Sequence, residues 1–183
     1  MNSRLSAVLL LTSATLLSAC GFHLRDTENH RFAFQALDLN ARNIYGETAR
    51  NVRIRLENSG VQVQAGAPFR LVLTHEAENQ RIISHNGAAR SAEYELTSRL
   101  DFEIRDRANR VLLNDQLEAW KSYVHDDSNL VSSNEEAQRL RDEIRQELLQ
   151  QLLQRLQQLT PAQLAKLQAD ADARAERSQQ PQP

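Results

Sequence analysis

One cysteine, Cys20, stands in a chain of 183 residues. No disulfide can close within the chain, so its fold must rest on packing. Glycine numbers five and proline four. There is no glycine-rich phosphate loop and no G-x-S-x-G turn. Lysine is almost missing: Lys121 and Lys166 are the only two. The net charge is −2, far from the strongly basic balance of a nucleic-acid partner. The five histidines, His23, His30, His75, His85 and His125, are scattered without the spacing of a metal motif. No apolar run reaches the roughly 20 residues that a membrane-spanning helix needs. These absences exclude the usual sequence signs of an enzyme, and neither a catalytic site nor a cofactor or metal is expected.

What is present begins with Met1-Asn2-Ser3-Arg4, followed by an almost wholly apolar or small run from Leu5 to Leu17. A basic start, a short apolar segment and small residues at a cut site describe an export signal. The stretch Leu17-Ser18-Ala19-Cys20 fits the bacterial lipoprotein form of that signal, in which Cys20 is acylated and becomes the N-terminus. The other reading is an ordinary signal with a chance cysteine. Acylation accounts for a lone thiol in an exported, oxidising setting. Several acyl chains give a stable anchor where one does not. Gly21 stands where an aspartate commonly marks retention at the inner membrane, which favours the outer one. Residues 1–19 carry one arginine and no acid, so their removal takes the net charge from −2 to −3. An anion site in such a chain must be a local patch. Arginine, which dominates the basic residues, suits bidentate contact with phosphate or carboxylate.

The rest reads as one domain of ordinary size. Residues 31–39 read as a first strand. Ala49, Val52 and Leu56 step by three and four, one face of a short helix, and Gly60 is a plausible stop. Phe69, Leu71 and Leu73 open a strand running to about Ile83, and Asn86-Gly87 marks a reversal. From Ala92 to Ile104 the row Ala92, Tyr94, Leu96, Ser98, Leu100, Phe102 and Ile104 then alternates with polar residues, one face buried and one wet. Val111, Leu113, Leu117, Ala119 and Tyr123 continue as a fourth strand, interrupted by Asp115 and Lys121. Ala137, Leu140, Ile144, Leu148, Leu152, Leu156 and Leu159 form the stripe of a long helix, widened by Leu149 and Leu153. Ser132 with Glu135, and Ser133 with Glu136, are candidate capping boxes. The helix is expected to stop near Thr160, before Pro161. Residues 161–183 are expected to be a polar tail, disordered beyond about residue 170, and dispensable. The predicted fold class is α+β: a two-layer sandwich, two helices on a four-stranded sheet in the order β-α-β-β-β-α. The domains expected are a signal at 1–19, a folded unit at 20–160 and a tail at 161–183. Asp126-Asp127 reads as a solvated loop pair. Trp120 reads as packed within the fold or at a partner interface, with an exposed recognition aromatic as the alternative.

"CGFHLR" at residues 20–25, "NGAARSAEYEL" at 86–96 with its Ala92-Glu93-Tyr94 core, and "SSNEEAQRLRDEIRQELLQQLLQRL" at 132–156 occur in that order. In the last, Asn134 stands near the start and Arg155-Leu156 at the end. Together they resemble the LPS-assembly lipoprotein family LptE, over residues 20 to about 160. The resemblance implies a non-enzymatic outer-membrane lipoprotein, lipid-anchored on the periplasmic face. It implies a plug in the barrel LptD and a part in placing lipopolysaccharide in the outer leaflet. It also implies contact with lipopolysaccharide through basic residues near one end of the sheet, here Arg81, His85 and Arg90. The plainer reading leaves Arg81 and Arg90 as solvated loop charges. Two other functions stay open: an independent envelope lipoprotein that binds a lipid or glycan without a barrel, and a periplasmic hydrolase.

Overall fold

The computed structural model describes residues 32–85 and 91–179. The elements, in chain order, are β1 (Ala36–Ala41), α1 (Glu47–Asn58), β2 (Gln62–Val63), β3 (Phe69–His85), β4 (Ser91–Asp106), β5 (Val111–Asp126), α2 (Leu130–Gln157) and α3 (Pro161–Gln179). The sheet order is β2-β1-β3-β4-β5. β1 pairs in parallel with both β2 and β3, and β3, β4 and β5 form an antiparallel meander. The α+β class expected from the sequence holds, with three helices and a five-stranded mixed sheet among the described residues in place of two and four. The helices cover one face.

The extra strand is only two residues long, inside the stretch Val61-Gln62-Val63-Gln64, whose brief alternation is broken by Gly66-Ala67-Pro68. Gln62 N–H donates to the carbonyl of Gln35, and Gln64 N–H to that of Leu37. The first strand starts at Ala36, later than expected. Phe32 and Phe34 are nevertheless buried, 5.6 Å apart between ring centroids, with Phe34 6.5 Å from Phe69. Their burial comes from packing, without a backbone ladder.

α1 buries Ala49, Val52 and Leu56, the face read from the three-four spacing. It ends at Asn58 with Ser59 as its cap, and the chain turns away at Gly60, whose φ of +84° is open to glycine at no steric cost. Val61 N–H then reaches back to the Leu56 carbonyl at 3.0 Å, and the buried Val61 side chain closes the helix end.

α2 buries Ala137, Leu140, Ile144, Leu148, Leu149, Leu152 and Leu156. It packs across β5 and β4. The two polar interruptions of β5 face this helix and pair with it. Asp115 accepts from Arg155 at 2.5 Å, and Lys121 lies 3.9 Å from Glu143. The helix starts earlier than the capping boxes suggest. Asn129 is the cap and accepts from Ser132 N–H. Ser133 is instead buried inside the first turns, and its hydroxyl accepts from Asp126 N–H at 3.0 Å. Asp126 itself anchors the turn, accepting from both the N–H and the hydroxyl of Ser128. These bonds hold its carboxyl below the usual range. It is a turn-forming residue, not a free loop acid.

The expected tail is a third helix through Gln179. Thr160, Pro161 and Gln163 explain it. Thr160 N–H donates to Gln163 Oε1 at 2.8 Å, and Gln163 N–H donates back to Thr160 Oγ1 at 3.2 Å. Pro161 occupies the first helical position, where its missing N–H costs nothing. Pro161 therefore starts a helix as well as ending one. Leu164 and Ala171 are buried, and Leu167 packs against the same core.

Arg110 ties α3 to the β4–β5 turn. It donates Nε to Asp106 Oδ2 at 2.7 Å and Nη1 to Asp172 Oδ1 at 2.5 Å. Asp106 is only 6% exposed. Burial alone would raise its pKa, but the backbone N–H and guanidinium of Arg110 outweigh this and hold it below the ordinary carboxylate value. A group depressed in the folded state contributes stability above its unfolded pKa and loses it as pH falls through the folded one. Melting temperature should therefore fall on acidification from about pH 4 downward. Asp106→Asn should cost about 1–3 kcal/mol at neutral pH and flatten that acid limb. An unchanged acid limb in the variant would remove Asp106 from this role.

Candidate functional site: the hairpin end of the sheet

The three long strands exceed the usual length of about 5–6 residues. β3 and β4 run on together until His85 pairs with Ala92. Two bulges decide what each face of β3 carries. Leu71 and Leu73 pair with Ile104 and Phe102 and point into the core. The register then shifts at Thr74, whose hydroxyl donates to the carbonyl of Asp101 at 3.1 Å. Beyond it Glu76, Glu78 and Gln80 pair with Leu100, Ser98 and Leu96. One inserted residue thus turns the helix-side row from apolar to polar.

The polar row is met by arginines from α2. Arg141 Nη2 donates to Gln80 Oε1 at 3.2 Å, and its Nε lies 3.8 Å from Glu78. Arg145 bridges to Glu47 at 3.0 Å. Thr48 donates to Glu76 at 3.1 Å. A recess of about 270 Å³ opens here, lined among others by Arg42, His75, Glu76, Glu78 and Arg145. Arg141 and Arg145 follow Ala137 at four-residue steps, on the margin of the leucine stripe. That spacing is the signal by which a sequence reading finds them.

Nearer the hairpin the inner row becomes aromatic. Ile82, Tyr94 and Tyr123 lie side by side across three strands. The two tyrosine rings stack at 5.8 Å, and His125 meets Tyr94 edge-on at 5.3 Å. Gln80 Nε2 donates to the Tyr123 hydroxyl at 3.2 Å. Burial raises the Tyr123 pKa above the ordinary phenol value, so the group stays a neutral donor and acceptor. Ile82, Ile83, Val124, Leu130 and Val131 are exposed at this same end of the fold.

Arg81 sits on the opposite face, which is helix-free among the described residues. Its Nε donates to Glu95 Oε1 at 2.7 Å, and this bond holds Glu95 below the usual carboxylate range. The second bulge leaves Ile83 unpaired and sets His85 beside Ala92, on the helix side. Arg81 and His85 therefore share one end of the sheet but not one face. Arg90 and Cys20 lie outside the described residues. The helix-free face continues as a ladder of neutralised pairs: Arg70 with Asp38 at 3.0 Å, Arg99 with Asp101 at 3.1 Å, and Arg105 with Glu103. Trp120 lies on this face, 60% exposed, so the fold does not bury it.

Among the described residues, no group of three His, Cys, Asp or Glu side chains is placed to hold a metal ion. Among them, too, no helix is long and apolar enough to cross a membrane. The arrangement offers surfaces for binding, polar on one face and mixed aromatic and apolar at one end.

The chain is similar in fold to three solved lipoproteins. A minor lipoprotein from Acinetobacter baumannii matches with a TM-score of 0.60 at 19% identity, over 69% of this chain and 93% of that one. The rare lipoprotein B of Shewanella oneidensis matches with 0.57 at 23% identity, over 65% and 91%. A lipoprotein B from Nitrosomonas europaea matches with 0.60 at 19%, over 73% and 88%. In sequence, the LPS-assembly lipoprotein LptE of Photorhabdus laumondii is 28% identical over 133 residues, 65% of this chain and 72% of that protein. The model of the lipopolysaccharide-assembly family LptE matches residues 34–156, from the buried Phe34 to the last turn of α2. By that match, which spans most of the described fold, this chain belongs to the LptE family of lipopolysaccharide-assembly lipoproteins.

Proposed function

We propose that this chain is a non-enzymatic outer-membrane lipoprotein, tethered through acylated Cys20, that plugs an LptD-like barrel and assists its assembly. In that place it takes part in inserting lipopolysaccharide at the outer leaflet. The observation that carries the reading is the family match over the folded domain. The helix-free face supports it. Its Arg70, Arg99 and Arg105 are neutralised by neighbouring carboxylates, which suits the polar interior of a large outer-membrane barrel. Purification of the tagged chain in mild detergent tests it. Co-elution with a β-barrel protein is expected. A chain that elutes alone would instead favour an independent envelope lipoprotein, with the apolar hairpin end as its lipid contact.

Lipopolysaccharide is anionic at its phosphates, and this chain is net negative, so binding must be local. The proposed contacts are Arg81, His85 and Arg90 at the hairpin end. Arg81→Asp with Arg90→Asp should weaken lipopolysaccharide binding by the isolated protein while barrel association is kept. Glu95→Gln should strengthen it, because it frees the Arg81 guanidinium. Added salt should weaken the wild-type interaction. Equal binding by all three proteins across salt concentrations would leave these as ordinary surface charges.

A further inference from the structure

β5 is an edge strand of 16 residues. Proteins commonly blunt such edges with proline, bulges, lysines, inward-pointing charges or a covering element, and of these β5 has two inward charges, Asp115 and Lys121, each paired with α2. Between Asn114 and His125 this strand has no proline and no register shift, and its one lysine is drawn to α2. Among the described residues, its backbone there hydrogen-bonds only to β4, apart from Gln116 N–H, which donates to the adjacent Asp115 carboxylate. The opposite edge, β2, is two residues long. α3 packs against β5 and is fastened at its start, where Arg110 holds Asp172. The far part of the edge carries Trp120 and Val124, 60% and 65% exposed on the helix-free face.

We infer that this edge pairs antiparallel with the same edge of a second copy, about a two-fold axis at Trp120. The inference goes beyond the barrel reading and does not depend on it. Opposed residues in an antiparallel pair point to the same face, so each register can be written out. Centred on Trp120, the two indoles meet, Glu118 faces Ser122, Gln116 faces Val124, Leu117 faces Tyr123 and Asp115 faces His125. No like charges oppose. Centred on Glu118 or on Lys121, identical charges meet at the axis. Centred on Ala119, Glu118 faces the indole and the paired stretch runs into Leu113, toward the end where α3 is fastened. The Trp120 register uses the stretch from Asp115 to His125, beyond that end.

The test uses the full Cys20→Ala chain, exported behind a cleavable signal, which has no other thiol. Sedimentation equilibrium should show the average mass rising from one chain toward two with concentration. Trp120→Lys with Val124→Lys should hold it at one chain, and at dilution, where the unaltered chain is also monomeric, the melting temperatures should agree, since both side chains are exposed. Under mild oxidation, Trp120→Cys should form disulfide-linked dimers. Ser122→Cys alone should not, but mixed with Glu118→Cys it should give the crossed pair. A chain that stays monomeric throughout overturns the inference. So does a dimer indifferent to the lysine pair, or one that Ser122→Cys cross-links to itself as readily as Trp120→Cys.

Discussion

Leu152→Asp is expected to abolish the cooperative thermal transition of the domain. Leu152 is fully buried in the last two turns of α2, a helix that lies over β4 and β5. The substitution removes a leucine whose burial contributes about 1.5–3 kcal/mol. It also leaves a carboxylate with no cation, at a cost of several kcal/mol. The sum is comparable with the whole stability of a domain, about 5–15 kcal/mol. Leu148→Asp, one turn earlier, should be milder. Leu148 lines a small recess beside Arg145 and Thr48, where a carboxylate can meet a cation and water. Circular dichroism melts of the two variants check the order. A near-native melt for Leu152→Asp would mean that the leucine stripe does not seat on its own sheet.

Truncation after Leu159 should lower stability by roughly 2–4 kcal/mol, a fall in Tm on the order of 10 °C for a domain of this size. The loss has three parts. Leu164 and Ala171 leave the core, Leu167 loses its partial cover, and Arg110 is left with Asp106 alone. The sequence by itself suggests the opposite, a dispensable tail, because only Leu164 and Leu167 are large and apolar after Pro161. Burial of these few groups is effective because α2 and β5 are already in place to receive them. A truncated chain that melts like the full one would show that α3 rides on the fold without stabilising it.

The alternation from Ala92 to Ile104, the three-four faces of α1 and α2, the stop at Gly60 and the α+β class were all legible in the sequence. Each is set by the neighbours of a residue along the chain: side-chain period, rotamer crowding and φ freedom act within a few positions. The resemblance carried in "NGAARSAEYEL" and in the α2 segment was legible for the same reason. Other features depend on groups far away in sequence. Thr74 becomes a bulge because Asp101 and Phe102 across the ladder fix where β3 must slip, and that slip turns Glu76, Glu78 and Gln80 toward α2. Arg81 is paired because Glu95 arrives opposite it, and His85 leaves its face because Ile83 drops out of register. Pro161 begins a helix because β5 offers that helix a surface, and Trp120 stays exposed because, among the described residues, no element covers its side of the sheet. Periodicity determines which residues of a segment share a face. Only the partner strand and the packed helices decide which face turns inward, since a shift of one residue in a strand exchanges the two.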